Sequence, residues 1–140
     1  MVRSPTGGET GGMKPPCKSP VFIVDDSPAI RARLAELLAP IEALGIVGEA
    51  DNPRDAVAGI LRTRPQSVLL DVRLAGRSGL DVMRSIREHA PEVVFVVLTN
   101  HSEPQYRRAC RDAGAAYFLD KSRDFTRVPQ VLAEIASRVP

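Results

Sequence analysis

The sequence predicts an α/β fold, a five-stranded parallel sheet with helices on both faces, and three observations carry that expectation. From Val21 onward, short apolar runs alternate with amphipathic segments. The strongest runs are apolar throughout, as strands buried on both faces require. The connections between them are short, so right-handed crossovers return successive strands to one sheet.

VFIV at Val21 to Val24 is the first strand. Ser27-Pro28 then opens a helix, with a capping hydroxyl ahead of a proline at the first helical position. Ile30, Leu34, Leu37, Leu38 and Ile41 share one face of that helix. GIVGEA at Gly45 to Ala50 is the second strand, and Asn52-Pro53 repeats the cap-and-proline signal before a helix whose inner face carries Val57, Ile60 and Leu61. SVLL at Ser67 to Leu70 is the third strand, after which Ser78 with Asp81 resembles a capping box for the third helix. VVFVVL at Val93 to Leu98 is the fourth strand, followed by a helical pattern that contains Cys110. YFL at Tyr117 to Leu119 is the fifth, and Val128, Val131, Leu132 and Ile135 mark the inner face of a fifth helix.

A chain of 140 residues, 44% hydrophobic and 26% charged, suits one globular domain able to bury a core without disulfides or a structural metal. The longest apolar run, Val93 to Leu98, is far below the ~20 residues that span a bilayer, and the N-terminus has no signal-peptide pattern, so a cytoplasmic protein without membrane contact is expected. Met1 to Pro20 holds four prolines and four glycines with few bulky apolar residues, and is expected to be a disordered tail ahead of a domain over 21–140. Cys17 and Cys110 match neither a disulfide framework nor a metal spacing and read as reduced, incidental thiols. The pI of 8.8 belongs to the tail. From Val21 onward, sixteen basic residues balance sixteen acidic ones, which is no footprint for direct nucleic-acid binding.

In a parallel α/β sheet, reactive groups gather at the carboxyl ends of the strands. The first strand ends in Asp25-Asp26, the third in Asp71, the fourth in Thr99-Asn100, and the fifth in Asp120-Lys121. Carboxylates about 4 Å apart at an effective dielectric near 20 repel by roughly 4 kcal/mol, so such a cluster calls for a cation or protons. Mg²⁺, which accepts one or two carboxylates and keeps open positions for a phosphate, suits three aspartates at an open edge. Phosphoryl chemistry follows. Lys121 stands out because the other fifteen basic residues after Val21 are arginines, which points to a need for a compact point charge.

The segments VFIVDDSPAIR, VLLDVRLAGRSGLDV, VVLTN and AGAAYFLDKS, in this order and each at a strand end, resemble the receiver domain of two-component response regulators from Val21 to about Val139. The resemblance implies a flavodoxin-like sheet of strand order 2-1-3-4-5. Asp71 then corresponds to the phosphoacceptor, Asp25 and Asp26 to the acidic pair that with Asp71 and the backbone carbonyl of Arg73 holds Mg²⁺, Thr99 to the hydroxyl that contacts the phosphoryl group, and Lys121 to its cationic partner. Phe118 corresponds to the switch aromatic, which would swing inward as Thr99 shifts and so change the face built by the fourth helix, fifth strand and fifth helix. The implied protein catalyses its own phosphorylation and dephosphorylation without being a conventional turnover enzyme. Its implied partners are a histidine kinase or phosphotransfer protein and a downstream protein target, with the chain a monomer or a phosphorylation-dependent homodimer.

Taken singly, Asp25 or Asp26 reads as a turn residue, Thr99 as a satisfied strand-end hydroxyl and Phe118 as core, so their roles rest on the constellation. Arg107, Arg108 and Arg111 read first as a solvated helix face and second as a partner patch. His89 reads as structural or exposed. His101 and Arg73, each two positions beyond a site residue, match places where similar proteins vary phosphoaspartate lifetime. Asn100, Ala75 and Ser122 depart from the usual small residue, proline and proline, and Phe118 lacks the hydroxyl of the frequent tyrosine. With only ~20 residues after Lys121, a stand-alone regulator without an output domain is the first expectation. A phosphorylation-independent binding module, a receiver segment of a larger regulator, and a phosphatase or nucleotide-binding enzyme are the alternatives, the last opposed by the lack of a glycine-rich cradle.

Overall fold

The computed structural model describes residues 18–138. Residues 1–17 of the expected tail, Cys17 included, lie outside the described residues, whereas Ser19 and Pro20 join the first strand. Five strands form the parallel sheet: β1 (Ser19–Val24), β2 (Leu44–Ala50), β3 (Ser67–Leu70), β6 (Val94–Thr99) and β7 (Ala115–Asp120). Their order is β2-β1-β3-β6-β7, which is the 2-1-3-4-5 order once the small hairpin β4 (Arg73–Leu74) and β5 (Arg77–Ser78) is set aside.

The period-two alternation of the strands sorts the core into two layers. Val21, Ile23, Leu69, Val96, Leu98 and Leu119 point to one face. There they meet Leu34 and Leu38 of α1 (Pro28–Leu38) and Val128, Val131, Leu132 and Ile135 of α6 (Val128–Ala136). Phe22, Val24, Val68, Leu70, Phe95 and Val97 point to the other. They are covered by α2 (Pro53–Thr63), α3 (Leu80–His89) and α4 (Pro104–Ala113). Burying each large side chain contributes roughly 1.5–3 kcal/mol. Phe22 needs particular room: a Cβ on Gly48 or Gly59 would overlap its ring. Gly59 therefore sits inside α2 despite costing a helix ~1 kcal/mol relative to alanine.

Ser27 and Asn52 cap α1 and α2 as expected, accepting the amides of Ile30 at 3.2 Å and Asp55 at 2.9 Å. One cap expectation is corrected. Ser78 does not form a capping box: it belongs to β5, its hydroxyl accepts from the Leu80 amide, and Asp81 turns to Arg84 instead. The helix starts after Gly79 because the Gly79 amide is held by the Val72 carbonyl at 2.7 Å. The segment 73–78 forms a hairpin. The expected fifth helix is α6, and ahead of it lie a one-turn helix α5 (Lys121–Asp124) and a 3₁₀ turn (Phe125–Arg127), since Pro129 suits only the first turn of a new helix and Phe125 turns into the core. No helix among the described residues is long and apolar enough to cross a membrane.

Candidate functional site

The ladder hydrogen bonds continue one residue past β1 and β3. The Asp25 amide donates to Ala50 and the Asp71 amide to Val24, both at 3.1 Å, so the two carboxylates leave adjacent strands at the same level. Asp25 and Asp71 are buried and Asp26 is exposed. One oxygen from each of the three lies within 4.8 Å of the others.

Lys121, at the end of β7, closes this cluster. Its Nζ is 2.7 Å from Asp25 Oδ2 and 2.8 Å from Asp71 Oδ2, an ion pair shared between two buried carboxylates. Burial pushes the ammonium down, but the hydrogen bonds and charges of Asp25 and Asp71 together outweigh it and hold the Lys121 pKa above the ordinary lysine value. Three of the other four oxygens have backbone donors: Ser27 on Asp25 Oδ1 at 2.9 Å, Arg73 on Asp71 Oδ1 at 3.3 Å, and Ala75 on Asp26 Oδ2 at 2.9 Å. One lysine against three formal carboxylates leaves a deficit that a divalent cation matches, and the hard oxygen donors with an exposed Asp26 suit Mg²⁺.

An open cavity of about 430 Å³ stands over the site, walled by Asp26, Asp71, Arg73, Asn100, His101 and Lys121. The structure thus brings Asp25, Asp26, Asp71, Arg73 and Lys121 together. Thr99 reaches the same sheet edge but is fully buried and off the cavity wall, its Oγ1 accepting the His101 amide at 3.1 Å. Phe118 lies half-buried on β7, its ring covered by Arg107 with the guanidinium carbon 4.7 Å from the centroid. His89 is exposed at the end of α3 beside the Ser85 carbonyl and belongs to no site. Burial first, then the Asp71 charge, pushes the Cys110 thiol up to about 11, so it stays protonated and unreactive.

Sequence reasoning gave no role to three supports. Arg31 donates to the Asp25 carbonyl at 2.7 Å and pairs with Glu49 at 3.0 Å, tying the acidic turn to β2. Ala75 holds the Asp26 contact from a left-handed backbone, φ 50°. Gly79 packs under Asp71 so closely that a Cβ would overlap the Asp71 carbonyl oxygen. Glycine in LAGRSGL is a visible signal for the last; Arg31 is hidden among many arginines.

The family model for the response regulator receiver domain matches residues 21–133. The response regulator GacA of Pseudomonas aeruginosa is 30% identical over 115 residues, 82% of this chain and 54% of its own length. The DNA-binding transcriptional activator DevR/DosR of Mycobacterium tuberculosis is 32% identical over 101 residues, 72% of this chain and 46% of its own. The chain spans about half the length of these curated relatives. Among solved structures, the signal receiver domain of the putative response regulator NarL from Mycobacterium tuberculosis superposes with a TM-score of 0.80 at 29% identity, covering 87% of this chain and 98% of that one.

Proposed function

The chain belongs to the response regulator receiver domain family, and from that premise we propose that Asp71 accepts a phosphoryl group from a histidine kinase or phosphotransfer protein. The observation that carries the reading is the Asp71 carboxylate, bridged by Lys121 to Asp25 beside the exposed Asp26 and open to a cavity. An Asp71 oxygen attacks phosphorus in line, the new O–P bond forming as the bond from phosphorus to the donor nitrogen breaks and that nitrogen takes a proton. Lys121 stays beside the equatorial oxygens and offsets their charge. Asp25, Asp26, Asp71 and the Arg73 carbonyl would hold Mg²⁺, which supplies further neutralisation of that charge. Thr99 and Phe118 act as the switch pair, passing the change to the face of α4, β7 and α6 that a cytoplasmic protein target, or a second copy of the chain, would read. Water then attacks phosphorus, the bond from phosphorus to the Asp71 oxygen breaks, and inorganic phosphate leaves the free carboxylate of the resting form.

Intact-protein mass after incubation with phosphoramidate and Mg²⁺ tests this. A labile gain of about 80 Da, absent from Asp71→Asn and after chelation, is expected. No gain in the folded wild-type protein would favour a binding module that works without phosphorylation. The half-length match to the curated relatives favours, as a second reading, a receiver segment of a longer regulator rather than a stand-alone one. The mass of the native protein isolated from its host separates the two.

A further inference from the structure

Arg107 joins two parts of the molecule that the proposed switch would move. Its Nε donates to the Ser102 carbonyl at 3.2 Å, while its guanidinium covers the Phe118 ring at 4.7 Å. Ser102 lies in the 100–103 loop directly after Thr99, and the His101 amide of that loop is bonded to the Thr99 hydroxyl. Phe118 sits on β7 opposite Val97 of β6, packed against the core layer beneath α4. A guanidinium is planar and carries several donors, so it can stack on a ring and donate sideways at once, which an ammonium does not do. The side chains of Arg108 and Arg111 on the same helix make no hydrogen bond or ion pair among the described residues, so Arg107 is set apart from the solvated run it belongs to.

We propose that Arg107 is a positioning residue that locks the 100–103 loop and the Phe118 ring into one resting arrangement, so that a loop shift toward a phosphorylated Asp71 must release the ring. The proposal rests on phosphorylation of Asp71. It adds to the Thr99 and Phe118 pair a third, charged member, and it makes the resting arrangement something this chain actively holds.

The test uses the full chain with phosphoramidate and Mg²⁺, reading the rate of Asp71 modification by mass and the His101 amide signal by NMR. That amide, bonded to the Thr99 hydroxyl, reports the loop. In Arg107→Ala the unphosphorylated His101 signal should lie part-way toward its phosphorylated position, and modification should quicken by about threefold, the factor expected from losing an exposed cation–π contact. Arg107→Lys should behave like Arg107→Ala, and in a Phe118→Leu background the Arg107 substitution should change nothing further. An Arg107→Ala protein with the wild-type rate and an unmoved His101 signal overturns the lock and leaves the Asp71 reading standing. A wild-type protein that gains no phosphoryl mass overturns the Asp71 reading, and the lock with it.

Discussion

At Lys121 two opposing effects meet. Removing an ammonium from water is costly, yet two carboxylates at 2.7 and 2.8 Å stabilise its charge enough to raise its pKa. A raised lysine pKa contributes stability that is fully present below the unfolded value, near 10.4, and is lost as pH climbs through the folded value. The contribution is therefore constant across neutral pH and fades only in strong alkali. Lys121→Met leaves Asp25 and Asp71 buried without their shared partner, and should cost about 3 kcal/mol in a urea unfolding experiment at neutral pH without added metal. The same variant should lose less stability than the wild type between neutral pH and pH ~11, since it has no such proton to release. A change below ~0.5 kcal/mol would mean that the pair behaves as an exposed surface bridge.

The elements that carry the site were largely legible as sequence. VFIV and SVLL end one residue before Asp25 and Asp71 because both strands are apolar to their last position, and the structure ends β1 and β3 at those boundaries. The hairpin of β4 and β5 was not legible: its two-residue strands are too short to show alternation, and Ala75 takes a left-handed backbone that alanine does not advertise. The C-terminal helix was legible from the apolar spacing of Val128, Val131, Leu132 and Ile135, whereas the one-turn helix and 3₁₀ turn ahead of it are too short to leave a periodic pattern. In α5, hydrogen bonds from Ser122 and Ser102 hold the Asp120 carboxyl well below the usual carboxylate range, a capping role that the strand pattern ahead of it also hid. For the close seat of Gly79 the glycine itself was the sequence signal, and packing names Asp71 as the neighbour that requires it. Gly79→Ala should push the Asp71 backbone out of register with Val24 and slow phosphoryl acceptance tenfold or more, roughly the effect of a 1 Å misplacement or less. An unchanged rate with phosphoramidate would show that the loop yields without moving Asp71.

Across the whole molecule, the strand order brings residues far apart in sequence to one edge. β1 and β3 are central neighbours, so Asp25 and Asp71 meet, and the parallel ladder through β6 to β7 returns Lys121 to the same end. Helices α1 and α6 close one face and α2, α3 and α4 the other, which leaves the carboxyl edge as the open side of the sheet at which the cavity forms. The match to the receiver family over residues 21–133 and the superposition on a receiver from Mycobacterium tuberculosis fit this architecture. Nucleic-acid contact was not expected from the balanced charge of the body, and the DNA-binding DevR/DosR matches this chain over only 46% of its own length. The central claim, a covalent acyl phosphate on Asp71, is tested most directly by borohydride trapping of the phosphorylated protein followed by peptide mass mapping. Reduction of an acyl phosphate converts aspartate to homoserine, a loss of about 14 Da. Homoserine at position 71, and only after treatment with phosphodonor and Mg²⁺, is the predicted result; homoserine at position 25 or 26, or at no position, would contradict the account.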